Sequence, residues 1–394
     1  MKTTITLIKA DIGSIGGHVR PSKEVLAVIK EFVGKSQWVI DYRVFSIGDD
    51  IGILMTHTQG KDSAEVHKIA WDAFTYATKV AKEQGLYGAG QDMLKDAFSG
   101  NVKGMGPSVA EMEIEERPNE PFIVFAADKC DAGAFNLPLY LGFADPMNCS
   151  GLLLSSKLSQ GFKFLVMDVT YTEGDRVIEL NTPEELYELA ALIRDNDRFV
   201  IEGIYSRATG EQAVAVGTTR LHNIAGKYTG KDDPPMLVRS QSQFPATGEI
   251  LAPFKICHYV AGFMRGSHNG PLTPVKVGQG ASFFDGPPIV CAQGFCVHNG
   301  KLTDGVDMFD ADPIWDSVRE KAAGKALALR EQGFSGPAML GMNELEYTGV
   351  MEILSKLEPR FRVREDFGKE EKQMEKLLKK EQEMEKLLHA KATK

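Results

Sequence analysis

The residues best equipped for chemistry sit in GKYTGKDDPP (residues 226–235), where Lys231 runs directly into Asp232 and Asp233 and Tyr228 lies three residues upstream. Glycine, aspartate and proline are turn formers, so this stretch alone also reads as a solvated turn. A pattern elsewhere separates the two readings. IKAD, SIGDD and VFAAD each carry an apolar, strand-like run into aspartate, at Asp11, at Asp49 and Asp50, and at Asp128. Aspartate disfavours strands, and ordinary turn chemistry explains one such ending more easily than all of them together.

If those strand ends meet at one rim, Asp11, Asp49, Asp50, Asp128, Asp232 and Asp233 crowd like charges that raise one another's pKa. Several Mg2+ ions would relieve the conflict, because magnesium takes hard oxygen ligands and is often shared between carboxylates and substrate phosphates. The pattern therefore predicts a multi-metal site for phosphorylated ligands. His18, just past the Gly16-Gly17 bend, reads as a further metal ligand or as a donor to a phosphate oxygen. Residues 87–107 carry glycines at 88, 90, 100, 104 and 106, which suit either phosphate-facing main-chain N–H groups or a flexible loop. They match neither a P-loop nor an ordered dinucleotide fingerprint.

The elements that would position these residues are legible in outline. Residues 3–10 alternate and read as a strand ending at Asp11. A helix follows from about Ser22, its N-cap, with Val25, Leu26, Ile29 and Phe32 on one face and a stop at Gly34. QWVIDYRVF and IGILMTHT read as strands on either side of SIGDD. Residues 63–84 form an apolar helical pattern, and PFIVFAAD is a strand. NTPEELYELAALI reads as a helix with a Thr182–Glu185 capping box and Pro183 in its first turn. RFVIEGIYSR pairs with QAVAVGTTRL, MLVRSQ leaves the Lys231 segment as a strand, IVCAQGFCVHNGKL is a hairpin turning at Asn299-Gly300, and residues 312–332 are helical. No boundary is evident before about residue 364, giving a domain of residues 1–363. The remainder, 364–394, is a charged tail whose Met374, Leu377, Leu378, Met384 and Leu388 share one helical face.

Composition sets the class. The 394 residues are 43% hydrophobic and 25% charged, ordinary for a globular protein. A net charge of −9 argues against a nucleic-acid partner. Five cysteines without a C-x-x-C pair fit a reducing compartment. No apolar run is long enough for a membrane span and the N-terminus is no signal peptide, so the expectation is a cytoplasmic protein.

Read in order, DIGSIGGH, SIGDD, YGAGQD, FSGNVKGMGP, EMEIEERP, NLPLY, IAGKYTGKDDP, MRGSH, FDGPP and NELEYT resemble the archaeal and deep-branching bacterial bifunctional fructose-1,6-bisphosphate aldolase/phosphatase family, from residue 1 to about 350. The resemblance implies an α+β fold, a single-domain four-layer α-β-β-α sandwich, assembled as a homo-octamer. It implies that dihydroxyacetone phosphate and glyceraldehyde 3-phosphate are condensed to fructose 1,6-bisphosphate, whose C1 phosphate is then hydrolysed with Mg2+. By motif, Lys231 corresponds to the Schiff-base lysine, Tyr228 to the proton donor and acceptor of the aldol step, and Asp11 to the proton acceptor in hydrolysis. Asp11, His18, Asp49, Asp50, Gln91, Asp128, Asp232 and Asp233 correspond to metal ligands. His18, Tyr87, Gly100, Asn101, Lys129, Gln241, Ser242, Arg265, Asp285 and Tyr347 correspond to substrate contacts. Asn269 departs from the tyrosine expected there, and the C-terminal tail lies outside the resemblance.

Lysine must lose its proton to attack a carbonyl, and adjacent bare carboxylates oppose that by stabilising the ammonium. Metal coordination of Asp232 and Asp233 would cancel the effect. Glycines and prolines around Lys231 suit a loop that moves between the two reactions. Two other readings use the same residues: a Mg2+-dependent sugar phosphatase without aldolase activity, and a non-enzymatic binder of phosphorylated metabolites that gives Tyr228 and Lys231 no role.

Overall fold

Alternation along the first strand sets the architecture. In β1 (Lys2–Asp11), Ile5 and Leu7 face one core while Ile8 and Ala10 face another, as the two-residue period of a strand buried on both faces requires. The computed structural model describes residues 1–93, 106–171, 174–221, 230–261, 269–282, 286–331 and 349–364. Expectations for Tyr228, Gly100, Asn101, Arg265, Asp285, Tyr347 and the C-terminal tail lie outside these residues.

β1 pairs antiparallel with β3 (Asp50–His57) and β4 (Ser108–Glu115). β2 (Asp41–Ile47) and β10 (Thr219–Arg220) complete a five-stranded sheet in the order β10-β4-β1-β3-β2. One face carries α1 (Lys23–Gly34) and α2 (Ala64–Glu83), whose Val25, Ile29, Val66, Ala70 and Phe74 pack on Ile8, Ala10, Ile51 and Ile53. Both helices start where sequence places them, with the Ser22 and Ser63 hydroxyls accepting from Val25 N at 3.2 Å and Val66 N at 3.3 Å. On α1 the buried stripe is Val25, Ile29 and Val33, leaving Leu26 and Phe32 at its half-buried edge.

The second sheet is larger. Its path runs from Thr273–Pro274 through Ile289–His298, β5 (Pro121–Asp128), β11 (Pro235–Arg239), β9 (Gln212–Val216), β8 (Phe199–Ser206), β6 (Phe162–Asp168) and β7 (Arg176–Asn181) to Arg362–Val363. Phe122, Val124, Ala126, Leu237 and Cys291 turn toward the first sheet and meet Leu7, Leu54, Ala110 and Met112. The alternate residues Ile123, Phe125, Ala127 and Val238 turn the other way. There they pack with α3 (Asn136–Phe143), α5 (Leu186–Ile193; α4 is the short Gly151–Leu154 turn) and the helix Ile314–Glu331. The fold is mixed α and β. No helix among the described residues is long and apolar enough to cross a membrane.

The hairpin at Asn299-Gly300 forms as expected, both residues holding the positive φ that its turn needs (50° and 72°). The capping box does not form. α5 begins at Leu186, the Thr182 hydroxyl donates to Phe162 O at 3.1 Å, and the Glu185 carboxylate accepts from Asn181 N at 2.7 Å. Thr182 therefore ties the turn to β6 instead of capping a helix.

Phe125, fully buried, stacks on Phe254 at 5.0 Å and meets Phe135 edge-on at 6.2 Å. Phe125→Ala is expected to cost about 3–5 kcal/mol, read as a lowered urea midpoint; an unchanged midpoint would place the stabilising core elsewhere.

Candidate active site and metal centre

Antiparallel pairing brings the strand-end aspartates together. β1 ends at Asp11, directly across from Asp50 at the start of β3, and Asp49 occupies the turn joining β2 to β3. On the facing sheet, β5 ends at Asp128, and β11 begins beside it, preceded by Lys231, Asp232 and Asp233. The rim thus lies at one open end of the space between the two sheets.

Two groups of donor atoms emerge, each with ligand atoms within 4.8 Å of one another: Asp11, His18 and Asp49, and Asp50, Asp128 and Asp233. His18 Nδ1 lies 2.9 Å from Asp49 Oδ2, and the Lys129 ammonium donates to Asp49 Oδ1 at 2.5 Å. Burial opposes ionisation of Asp49, yet Lys129 and His18 outweigh it and hold the carboxyl below its ordinary range. For Asp11, burial and then Asp49, Asp50 and Asp92 push the pKa up. Burial likewise raises Asp128, where Lys129 opposes it and Asp49, Asp50 and Asp233 reinforce it. Asp50 and Asp233 are raised too, by burial first and then by Asp233 and Asp49 for Asp50 and by Asp232 for Asp233, with Lys9 opposing both.

Asp128 tests whether a cation fits. It is fully buried, and neither carboxylate oxygen has a hydrogen-bond partner; the Lys129 ammonium stands 3.4 Å from Oδ1. A buried carboxylate so poorly satisfied is costly unless a positive charge compensates it. The backbone makes room for it: Gly48 has φ 53°, and a Cβ there would fall 1.5 Å from Asp128 Oδ2. An all-oxygen set with carboxylates from three chain segments suits a hard divalent cation.

A third group, Asp62, His67 and Glu111, meets the same proximity criterion. Its chemistry differs. Glu111 accepts from Thr6 Oγ1 at 2.7 Å and Asp62 N at 2.8 Å, and lies 3.0 Å from His67 Nε2. These partners satisfy the carboxylate without an ion.

Lys231 is buried at the same rim. Its ammonium donates to Asp232 Oδ1 at 2.9 Å and stands 3.7 Å from Asp92 Oδ1. Burial favours the neutral amine, but Asp232, Asp92, Asp233 and Asp50 outweigh it and raise the pKa. The ion-free arrangement therefore holds Lys231 as an ammonium, the state that cannot attack a carbonyl.

Two residues here escaped the sequence reading. Lys9, buried, pairs with Asp50; its signal was the two-residue spacing from Asp11, which puts both on the same strand face. Asp92 accepts the Asp11 backbone N–H at 2.9 Å through Oδ2, and its pKa is pushed up to about 7, by burial first, with Lys231 opposing and Asp50 reinforcing. It sits beside Gln91, in the short turn Gln91–Met93. Tyr87 bridges to Ser14, meets the His18 ring edge-on at 4.9 Å, and is largely exposed. Gln241 and Ser242 lie elsewhere in the chain: they follow the far end of β11, at least roughly 13 Å of strand from Asp233. There Gln241 O accepts from Arg117, and the Ser242 hydroxyl accepts from Lys157 at 3.3 Å.

Comparison with known proteins agrees with the sequence resemblance. The family described as fructose-1,6-bisphosphatase matches residues 2–362. A Thermus thermophilus protein named fructose-1,6-bisphosphate aldolase/phosphatase is 56% identical over 363 residues, covering 92% of this chain and 100% of the relative. Proteins of the same name from Ignicoccus hospitalis and Moorella thermoacetica are 51% and 49% identical, covering 93% and 91% of this chain and 94% of each relative.

Gly48→Ala is expected to weaken divalent-cation binding by at least about tenfold in calorimetric titration, because the new methyl displaces Asp128. The pH response of ion-free protein follows from Asp92. Its carboxyl ionises near 3.8 when unfolded and at about 7 when folded, so between these values the folded state retains a proton that the unfolded state releases. Stability therefore falls as pH rises through that window, by on the order of 1.4 kcal/mol per pH unit at most. In chelator, Asp92→Asn should flatten that slope in urea midpoints; an unchanged slope would exclude Asp92 as its source.

Proposed function

The chain belongs to the fructose-1,6-bisphosphate aldolase/phosphatase family, and from that premise we propose that one pocket, built on Lys231 and the rim carboxylates, performs both reactions. It is an enzyme of carbohydrate metabolism whose substrates are triose phosphates and fructose 1,6-bisphosphate. The observation that carries the one-pocket reading is the burial of Lys231 against Asp232 and Asp92, at the rim where Asp50, Asp128 and Asp233 converge.

In the aldol half, the neutral amine of Lys231 adds to the ketone of dihydroxyacetone phosphate, and loss of water leaves an iminium. A proton leaves the adjacent carbon to give an enamine, which attacks the aldehyde carbon of glyceraldehyde 3-phosphate. Tyr228 relays the proton that the new hydroxyl acquires. Water then hydrolyses the iminium, releasing fructose 1,6-bisphosphate and the free amine. Asp92 and Asp232 are the bases within reach of the ammonium's proton. In the phosphatase half, Asp11 accepts a proton from the water that attacks the phosphorus of the C1 phosphate; the bond from phosphorus to the C1 oxygen breaks and that oxygen takes up a proton, leaving fructose 6-phosphate and free phosphate. The position of Asp11 is fixed by its backbone N–H on Asp92 and by Gly13 N donating to Oδ1 at 3.0 Å.

Asp11, His18, Asp49, Asp50, Gln91, Asp128, Asp232 and Asp233 are the proposed Mg2+ ligands. Bound Mg2+ would neutralise the carboxylates, polarise phosphoryl oxygens and lower the pKa of water. Lys129 and Tyr87 face the substrate from the same rim in this reading. Arg265, Asp285, Tyr347, Gly100 and Asn101 are assigned to it by the family pattern. If Gln241 and Ser242 contact substrate, their place beyond the far end of β11 calls for a neighbouring subunit, in keeping with a homo-octamer. The succession of a helix–sheet core, a sheet–sheet core and a sheet–helix core supports a four-layer α-β-β-α arrangement, and five free cysteines support a cytoplasmic setting.

The test is free phosphate released from the two triose phosphates by this polypeptide alone with Mg2+; no phosphate, despite hydrolysis of added fructose 1,6-bisphosphate, would reduce the enzyme to a phosphatase. Lys231→Ala is expected to lower condensation by roughly a thousandfold or more and to abolish borohydride trapping of dihydroxyacetone phosphate, while hydrolysis keeps at least about a tenth of its rate. Asp128→Asn should do the reverse, with hydrolysis falling most and recovering partly at high Mg2+.

A further inference from the structure

Behind the rim, on the helical side of the second sheet, lies a separate cavity of about 360 Å³. That is within the size range of small-molecule sites, which run to about 300–1,000 Å³. Its walls are the first turns of α3, the end of α5 and the segment His258–Tyr259. The lining is mainly apolar, with Leu137, Ala190 and Ile193 contributing.

Its polar groups are few and distinctive. Arg194, the C-cap of α5, lines the cavity, and behind that surface its Nε is buried without a hydrogen-bond partner. A guanidinium nitrogen taken out of water without an acceptor is costly, and a planar anion is the natural partner for this fork. Elsewhere in the lining, His258 Nε2 lies 3.1 Å from Ala134 O. Burial lowers the pKa of His258 to about 4, so its neutral ring donates through Nε2 and leaves Nδ1 as an acceptor.

The cavity is wired to the rim by short chain segments. Gly133, in its wall, packs so closely on the 195–197 turn that a Cβ would fall 2.1 Å from Asn196 O. Five residues back from Gly133 stands Asp128, no more than roughly 18 Å along the chain. Between them, Cys130 exchanges backbone and side-chain hydrogen bonds with Asp233 at 2.8 and 2.9 Å. Asp131 N donates to Ala261 O at 2.9 Å, tying in the segment that follows Tyr259. A shift of the cavity wall must therefore move the turn that carries Asp128 and seats Asp233.

We propose that this cavity is a regulatory site for a small organic anion with a flat apolar body, held by Arg194 and coupled to the active-site rim through residues 128–133. The small volume and single charged donor fit a small molecule better than a protein segment. Occupancy acts on the rate at the rim without touching the reacting atoms.

The probe is 8-anilinonaphthalene-1-sulfonate, an aromatic sulfonate, titrated by fluorescence into full-length protein loaded with Mg2+. Expected are saturable binding of about one probe per chain and affinity reduced about tenfold or more by Ala190→Trp, which fills the cavity, and by Arg194→Leu, which removes its charge. Saturating probe should change phosphate release from fructose 1,6-bisphosphate by about twofold or more in the parent and leave Ala190→Trp unaffected, both variants keeping the parent's basal rate. Binding that is absent, or that survives both substitutions, overturns the site; binding without any change in rate overturns the regulatory role. Should the variants instead alter the sedimentation coefficient while no probe binds the parent, the cavity belongs to a contact between copies of this chain and the proposal falls. The binding arm requires no turnover, so failure of the catalytic reading and failure of this one are separable.

Discussion

Everything at the rim follows from packing like charges where water cannot reach them. Asp11, Asp49, Asp50, Asp92, Asp128 and Asp232 are all buried there, with Asp233 at their edge, and the cations facing them are Lys9, Lys129 and Lys231. Two carboxylates 4 Å apart repel by about 4 kcal/mol at an effective dielectric of 20. Each lysine answers a particular aspartate, Lys9 taking Asp50, Lys129 taking Asp49 and Lys231 taking Asp232. Asp11, Asp50, Asp92, Asp128 and Asp233 nonetheless keep raised pKa values, which is the protein's way of declining a charge it cannot compensate alone. A fold selected only for stability would not assemble this group, so its persistence points to ligands that carry positive charge.

The backbone is bent to the same end. Lys129 and Asp233 hold left-handed conformations with φ of 66° and 51°, which cost non-glycine residues of order 1 kcal/mol or more each. Asp233 makes the exchanged hydrogen bonds with Cys130, and Lys129 immediately precedes Cys130, so these bonds hold both residues in place and make the strain sustainable. Gly48 completes the arrangement by giving up its side chain to Asp128. Local propensity is overruled at the positions where charge must converge, while helices α1 and α2, remote from chemistry, obey the capping and periodicity rules closely.

That contrast explains what could be read from the sequence. Asp11, Asp49, Asp50 and Asp128 were legible because they end apolar runs, and Asp232 and Asp233 because they stand just before one; antiparallel pairing brings Asp11 to Asp50 and the end of β5 to the start of β11. Ser22, Ser63 and Asn299-Gly300 were legible because caps and tight turns are decided by a few adjacent residues. Lys9 was missed because a lysine within a strand normally marks a solvent face, whereas here it points into the space between two sheets. Asp92 was missed because nothing local distinguishes it from a turn aspartate. Thr182 satisfied a capping pattern, but β6, 20 residues earlier in the chain, supplied a competing partner that no local rule anticipates. The stacking of the two sheets, and the distance between Gln241 and the rim, depend on strand order and register, which single-strand periodicity does not encode.

On the proposed one-pocket reading, the hardest requirement is that the pocket serve two chemistries with opposed demands. Imine formation needs a lysine that surrenders its proton, while metal-assisted hydrolysis needs carboxylates that keep their charge, and these carboxylates are what lock the proton onto Lys231. The conflict is resolved if each carboxylate has a partner other than the lysine. Asp50 and Asp49 already do, in Lys9 and Lys129, so Asp232 and Asp92 weigh most on the state of Lys231, with Asp233 and Asp50 adding to them. In that reading Lys9 has a role that no catalytic motif would assign to it: by engaging Asp50, it would weaken that carboxylate's hold on the Lys231 proton while keeping it beside Asp128 and Asp233. The buried ion pair contributes little to stability when the cost of desolvating both groups is counted. Its value is positional, fixing which carboxylates remain available, and both reactions depend on that allocation.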